Sequence, residues 1–198
     1  MTDTDTIGTY ESVVEEYRER HGDRSGIQEL VEEFCDALDD ATSGDASRVA
    51  DIGCGPGWES ATFAERGHEV VGVDLTPAFL EVARTEAPAA SFARMDMRQL
   101  ALAENTIDGL WACASFLHVP REDAAETLAG FRRVVRPGGV VYLSVARGDG
   151  ETEGESYDED TRQFTLYQSD QLRVMAEDVG LRVESVSDGD WIQLLARV

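Results

Sequence analysis

The sequence predicts an α/β fold: one doubly wound, mostly parallel seven-stranded sheet that ends in an antiparallel hairpin and is preceded by two helices. Three observations predict it. Between residues 48 and 146 short β-rich runs alternate with helical stretches, and a turn with three alternate glycines links the first run to the first of these helices. Near the carboxyl end two further β runs flank Asp188-Gly189-Asp190, a hairpin turn signal. The 198 residues suit one domain over 1–198, since domains commonly hold about 100–200 residues, and no repeat or internal boundary is visible.

Each element has its own warrant. Thr2–Ile7 is polar and reads as a frayed tail. Tyr10–His21 places Tyr10, Val13, Val14 and Tyr17 at helical spacing, and Gly26–Leu38 repeats the pattern with Ile27, Leu30, Val31, Phe34 and Leu38. Thr42–Ser47 reads as a turn. Arg48–Ile52 is a first strand, followed by the glycine turn and a helix to about Arg66. Glu69–Asp74 is a second strand, and Pro77, suited to a first helical turn, opens a helix to about Glu86. Ser91–Met95 is a third strand, and Ile107–Ser115 is a fourth, apolar on both faces. Arg121–Val135 is a helix stopped by Pro137-Gly138-Gly139, after which Val140–Ala146 is a fifth strand. Arg147–Arg162 is polar and acidic. Ser169–Val179 is a helix with Ser169 as N-cap and Gly180 as C-cap. Arg182–Ser187 and Trp191–Val198 are the last two strands.

Composition excludes several classes. No apolar run approaches the ~18–20 residues of a membrane span, and Met1–Thr6 lacks the basic and apolar regions of a signal peptide. Cys35, Cys54 and Cys113 show no metal-ligand spacing, so a reduced, cytoplasmic chain without a metal site is expected. The net charge is −23, and all 17 basic residues are arginine. Such a surplus repels itself in dilute buffer, a penalty that strong brine removes by shrinking the Debye length to about 3 Å at 1 M. With its acids spread along the chain, the composition resembles that of proteins from extreme halophiles. The alternative is acidity that repels nucleic acid or attracts a cationic partner.

Asp51-Ile52-Gly53-Cys54-Gly55-Pro56-Gly57-Trp58 is the most informative stretch. Glycines permit positive φ and close approach of a ligand to the backbone, and the following helix offers free N–H groups with a partial positive charge. Asp74 ends the next strand, where a carboxylate can accept both hydroxyls of a ribose. A dinucleotide fingerprint requires G-x-G-x-x-G, whereas here Trp58 replaces the third glycine of that spacing. Asp51 sets an anion where a pyrophosphate would lie and suits an ammonium group instead. The implied ligand is a nucleoside with an amino-acid tail.

At these residues the sequence resembles the class I S-adenosylmethionine-dependent methyltransferases of small-molecule type, which have a Rossmann-like fold; the match is strongest over about residues 45–145. The resemblance implies that Asp51, Gly53, Cys54, Gly55 and Gly57 hold the methionine end of S-adenosylmethionine. It implies further that Asp74 with Leu75 binds the ribose and that Asp96-Met97 reads the adenine. Ile107–His118 resembles the strand whose end, with Ser115, faces the methyl group, and Arg136-Pro137-Gly138-Gly139 resembles the turn before the fifth strand. Residues 1–44 would then form N-terminal lid helices, 45–146 the cofactor-binding core, and 147–198 the acceptor side with the last helix and hairpin.

Methyl transfer is a displacement at a carbon already activated by sulfonium, so alignment and exclusion of water matter more than an acid–base constellation. His118, just beyond the fourth strand, is the candidate to take an acceptor's proton; the alternative is a structural histidine bonded to a loop carbonyl. His21 and His68 have weaker claims and are expected to be exposed. Tyr10 and Tyr17 resemble the Y-x6-Y pattern of a lid helix, which implies a contact from Tyr17 to the cofactor's carboxylate; both equally suit core packing. The segment ending Asp160-Thr161-Arg162-Gln163-Phe164-Thr165-Leu166-Tyr167 resembles the acceptor-pocket insertion of a methyltransferase subgroup. Tyr10, Arg162, Phe164 and Tyr167 are therefore candidate substrate contacts. Arg162 either binds an acidic acceptor or neutralises its own loop, and Asp149–Asp160 is expected to be a solvated acidic loop. Cys54, Cys113 and Trp58 read as packing residues.

The expected activity is methyl transfer to a small-molecule acceptor, because no basic stripe or basic–aromatic patch offers a nucleic acid a surface. The alternatives are an RNA- or protein-directed methyltransferase, a non-catalytic S-adenosylmethionine-binding protein and, more remotely, a nicotinamide oxidoreductase. The acceptor and the oligomeric state are not readable from the sequence.

Overall fold

The computed structural model describes residues 3–42 and 46–198; position 2 of the expected tail and 43–45 of the expected turn lie outside the described residues. Strands β1 (Arg48–Ile52), β2 (Glu69–Asp74), β3 (Ser91–Arg94), β4 (Ile107–Cys113) and β5 (Val135–Ala146) are parallel. Two short strands, β6 (Glu151–Glu153) and β7 (Gln163–Thr165), pair separately. The hairpin β8 (Arg182–Val186) and β9 (Trp191–Arg197) adds antiparallel to β5, giving the order β3-β2-β1-β4-β5-β9-β8. This is the predicted seven-stranded, doubly wound sheet.

The period-two alternation of the strands sorts side chains to two faces. On one, Ala50, Ile52, Leu110, Val141, Leu143 and Leu194 pack under α6 (Ala124–Val134) and α7 (Ser169–Asp178), which contribute Leu128, Phe131 and Leu172. On the other, Val49, Trp111 and Tyr142 meet Phe34 and Leu38 of α3 (Gln28–Thr42) and Phe63 of α4 (Trp58–Glu65). Trp111 stacks on Tyr142 with ring centroids 4.1 Å apart. Because β1 and β4 are covered on both faces, their carboxyl ends are held rigidly, and the site is built there. No described helix is long and apolar enough to cross a membrane.

Several expectations need correction. The polar amino terminus is not frayed: α1 (Asp3–Ser12) is helical and separated at Val13 from α2 (Val14–His21). Thr6 Oγ1 accepts from Gln163 N (3.0 Å), Thr9 Oγ1 accepts from Thr161 N (3.2 Å), and Asp5 O accepts from Thr161 Oγ1 (3.1 Å). This helix is thus fixed by contacts about 150 residues away in sequence, which no local propensity reports. The Pro137-Gly138-Gly139 turn does not separate α6 from the fifth strand. β5 starts at Val135, and a register shift between the pairs Ile107↔Val135 and Gly109↔Val140 absorbs the proline. Ser169 is not an N-cap; Gln168 holds that position, while Ser169 Oγ donates to Ser187 O at 3.2 Å. Gly180 follows α7 at φ +87°, as a C-terminal glycine should. The acidic segment is not an unstructured loop: β6 lies inside it, solvent-exposed, and pairs with β7 just beyond its end.

Candidate functional site

The carboxyl ends of β1, β2 and β4 open into a cavity of about 120 Å³ whose wall includes Gly53, Gly55, Asp74, Leu75, Asp96, Met97, Ser115 and His118. α1, α2 and α5 (Pro77–Glu86) cover it, contributing Tyr10, Tyr17 and Phe79. The cavity lies outside the strand ends, where open α/β sheets bind ligands.

The glycine turn is locked to its neighbours. Gly53 N and Cys54 N both donate to Val73 O, at 2.8 and 3.0 Å, and Ser115 Oγ donates to Ile52 O at 2.6 Å. Gly53 sits at φ +69°, and a Cβ there would come within 2.3 Å of Ser115 Cβ. Gly55, at φ +51°, has no atom within 4 Å of where its Cβ would lie, so the backbone meets open space on the cavity wall.

Asp74 Oδ2 accepts from Gly55 N (2.9 Å) and Oδ1 from Thr76 N (2.8 Å). Burial raises its pKa despite these backbone hydrogen bonds. Each carboxylate oxygen keeps lone-pair capacity. Asp96 is half-buried; Arg98 donates to it through Nη2 (2.6 Å), Nε and its backbone N–H. Burial pulls its pKa upward, but the Arg98 bonds outweigh that and hold the carboxyl below its ordinary range. Asp51 lies beneath the turn and is not among the cavity-lining residues. It is 2% exposed and accepts from Ser60 Oγ at 2.6 Å. Burial, then the charge of Glu59, pushes it up to about 7.

His118 forms the centre of a polar cluster on the acceptor side. Its Nδ1 lies 2.8 Å from Gln163 O and its Nε2 lies 2.9 Å from Tyr10 Oη. A carbonyl only accepts, so Nδ1 carries the proton; in the neutral ring Nε2 therefore accepts from Tyr10. Burial lowers the His118 pKa to about 4. Burial also pushes Tyr10 up to about 12, against the opposing pull of Arg162. Arg162 donates through Nη1 to Tyr10 Oη (3.3 Å) and is held by Asp160, with Nε–Oδ1 at 2.8 Å and Nη2–Oδ2 at 2.6 Å.

The remaining predicted residues fall into place as follows. Tyr17 lines the cavity, 5.0 Å from Phe79 and stacked 6.1 Å from Trp58 between ring centroids. Gly57, at φ +84°, caps α4 rather than lining the cavity, and Cys54 is buried behind the turn. Phe164 packs 4.9 Å from His118 and lines a second groove with Arg121, Glu122 and Glu151 that also reaches His118. The Arg162 side chain is 7% exposed and already ion-paired; of its two expectations, neutralising its own loop is the one its contacts match. Tyr167 is wholly buried against Phe116, away from both cavities. Cys113 lines the cavity, but burial raises its thiol to about 11. His68 is half-buried, not exposed, and its Nδ1 accepts from Ser47 N at 3.4 Å. No group of three or more His, Cys, Asp or Glu suited to a metal occurs among the described residues.

Several cavity residues escaped the sequence reading, Thr6, Ile7, Phe79 and Ala114 among them. Thr6 and Ile7 lie in the segment read as tail. Phe79 carried a usable signal, since Pro77 fixes the start of α5 and sets Phe79 in its first turn. Ala114, at φ +51°, carries none: a left-handed alanine is a product of its surroundings. Its N–H donates to Ser144 O at 3.1 Å.

Known proteins similar to this chain share this geometry's fold and part of its sequence. Residues 49–139 match the sequence model of the methyltransferase domain family. The malonyl-[acyl-carrier protein] O-methyltransferase of Serratia marcescens is 36% identical over 112 residues, 56% of this chain and 43% of that protein. The ubiquinone biosynthesis O-methyltransferase of Hahella chejuensis is 29% identical over 147 residues, 72% of this chain and 61% of that protein. The chain thus spans about half the length of these curated relatives. Among solved structures, 1,6-didemethyltoxoflavin-N1-methyltransferase of Burkholderia thailandensis superposes with a TM-score of 0.74 at 19% identity, covering 96% of this chain and 86% of that one. That structure holds 1,6-didemethyltoxoflavin and S-adenosylhomocysteine. The fold is the Rossmann-like methyltransferase fold, and residues 49–139 are similar to the methyltransferase domain.

Proposed function

We propose that this chain transfers a methyl group from S-adenosylmethionine to a small-molecule acceptor. One observation carries the reading. Asp74 closes the glycine turn through Gly55 N at 2.9 Å while facing the cavity, so a carboxylate with spare lone pairs stands beside open backbone. That donor and acceptor set fits a nucleoside with an amino-acid tail. Asp74 and Leu75 would hold the ribose, and Asp96 with Met97 N–H the adenine. Gly53, Gly55 and Ser115 would border the methionine part, Tyr17 would meet its carboxylate, and Asp51 would balance its ammonium group from beneath the turn. When bound, the cofactor supplies an activated methyl on a sulfonium.

The protein's own task is then to align the acceptor and exclude water. Tyr10, Tyr17 and Phe79 supply an aromatic cover, and their ring contacts of 5.0–5.7 Å tie α1, α2 and α5 together over the cavity. In this reading residues 1–44 cover the site, 45–146 hold the cofactor, and 147–198 complete the acceptor side. A surface with net charge −23 favours a small acceptor over a nucleic acid, because phosphate binding rests on basic contacts. The same lysine-free surface supports function in strong brine.

Calorimetry in multimolar KCl with S-adenosylmethionine, S-adenosylhomocysteine and NAD tests the cofactor. A labelled-methyl screen across a cell extract then tests the acceptor. Binding of the two sulfur nucleosides but not NAD, with label in the metabolite fraction, is expected. Preferential NAD binding overturns the cofactor reading, and label found only in RNA or protein overturns the small-molecule reading.

A further inference from the structure

Resting on that reading of the site, we infer that Tyr10 is the residue that takes the acceptor's proton, that it passes its own proton to His118, and that the acceptor is therefore a hydroxyl compound of the phenol class. His118 cannot meet the acceptor directly, because both ring nitrogens are engaged: Nδ1 with Gln163 O at 2.8 Å and Nε2 with Tyr10 Oη at 2.9 Å. The Gln163 bond fixes the tautomer, leaving Nε2 as the basic atom. Tyr10 lines the same cavity, and its hydroxyl occupies that atom. Its oxygen donates to Nε2, accepts from Arg162 Nη1 at 3.3 Å, and keeps one lone pair. An acceptor hydroxyl in the cavity completes the chain.

The step balances without another reactant. The acceptor's O–H proton moves to Tyr10 Oη as the Tyr10 proton moves to His118 Nε2. The acceptor oxygen bonds the methyl carbon while the carbon–sulfur bond breaks and its electron pair stays on sulfur. His118 leaves the step as an imidazolium, still donating to Gln163 O, and loses its extra proton to solvent after product departs. Neither group needs to be charged beforehand, which matches a histidine near 4 and a tyrosine near 12. Arg162, neutralised by Asp160, limits negative charge on Tyr10 during the transfer.

The surroundings suit this role. Tyr10 faces Tyr17 of α2, Phe79 of α5 and the Arg162 guanidinium, and it senses the charges of Asp74 and Tyr157. His118 faces Phe164 and the Gln163 carbonyl, with the charges of Arg162 and Asp160 behind them. Apart from Asp74 and Asp96, assigned to the nucleoside, no acid among the described residues lines the cavity. A planar aromatic hydroxyl fits these walls, with its O–H as the polar end.

The test uses S-adenosylmethionine with 4-nitrophenol, 4-cyanophenol, phenol and 4-methylphenol at pH 8, comparing the wild type with Tyr10→Phe and His118→Asn. A relay matters most for the acceptor that arrives protonated. Both variants should lose about 100-fold in kcat/KM on 4-methylphenol and less than about threefold on 4-nitrophenol, in the range of general-base effects. Equal losses across the series would show a merely structural role and overturn the relay. A second readout needs no turnover: the ¹⁵N spectrum of His118 should report an unprotonated Nε2 that shifts in Tyr10→Phe, and a proton on Nε2 at pH 7 would overturn it. If no phenol is methylated while label reaches amines, thiols or carboxylates, the relay fails and the methyltransferase reading stands. Absence of S-adenosylmethionine binding would instead remove that reading.

Discussion

The ribose assignment of Asp74 yields a prediction that separates two roles for one carboxylate. In the structure Asp74 Oδ2 and Oδ1 already accept from Gly55 N (2.9 Å) and Thr76 N (2.8 Å), so Asp74→Asn perturbs the turn whatever binds there. The amide nitrogen cannot accept, so one of these N–H groups is left unpaired at a cost of about 1–3 kcal/mol. That cost weakens every ligand of the turn alike. The ribose role adds a ligand-specific part. Hydroxyl bonds to a charged acceptor are worth about 1.5–3 kcal/mol each. Asparagine retains one acceptor atom, so one such bond, about 10–150-fold in affinity, should vanish. Calorimetry with S-adenosylhomocysteine and its 2′,3′-dideoxy analogue, on wild type and Asp74→Asn, resolves the two parts as a double-mutant cycle. The hydroxyls should be worth at least tenfold less in the variant than in the wild type. If both proteins lose the same factor on removing the hydroxyls, Asp74 acts only through Gly55 and Thr76, and the ribose assignment is wrong.

Three further outcomes follow from the geometry. Gly53→Ala should cost more than about 2 kcal/mol, because left-handed strain adds to a Cβ contact of 2.3 Å at Ser115. Gly67→Ala, at φ +92° with nothing within 4 Å, should show the strain alone, and equal costs in denaturant titrations would refute the packing argument. His118 has a folded pKa of about 4 against the usual 6.5, so the unfolded chain takes up a proton that the folded one refuses as pH falls through that window. Stability present at pH 7 should fall by up to ~3 kcal/mol between 6.5 and 4, and the stability difference between wild type and His118→Asn should shift toward the variant by a comparable amount; a pH-independent difference would refute this. Raising KCl from about 0.05 to 2 M should raise the melting temperature of a chain with net charge −23, since screening shortens the range of self-repulsion; an unchanged Tm would remove the brine reading.

What the sequence reveals depends on whether the signal is local. β1, β2 and α5 match their expected limits to the residue, because an apolar run, a glycine turn and Pro77 each act within a few positions. Asp74 is legible for the same reason, since it ends a strand that the β run already defines, whereas Asp96 lies two residues beyond β3 and is reached only through the resemblance. By contrast α1 is held by Thr161 and Gln163, the entry of β5 by a bulge against β4, and the positive φ of Ala114 by Ser144. These are tertiary causes, and polar threonines or a Pro-Gly-Gly run point locally to coil. The aromatic partners of Tyr10 were equally hidden, since Phe79 meets it only once α5 lies against α1.

The acidic segment shows how composition misleads about a single residue. Seven acids and no base lie between residues 148 and 161, and a mean-field reading assigns them all to solvent. Glu151, Thr152 and Glu153 are indeed exposed on β6. Asp160, with a side chain only 2% exposed, is turned inward and pairs with Arg162. The hydrogen bonds from Arg162 hold its pKa down to about 2, so the pair is ionised at neutral pH. Removing one member of a buried pair strands the other charge. Arg162, so fixed, reaches Tyr10 and spans α1 and the β7 entry, while Asp149, Glu151 and Glu153 make only exposed hydrogen bonds, from Gln168, Arg121 and Gln163. Identical side chains within one loop therefore serve opposite purposes. What decides between them is the donor each finds: exposed amides for Asp149, Glu151 and Glu153, and for Asp160 a buried guanidinium that also reaches Tyr10.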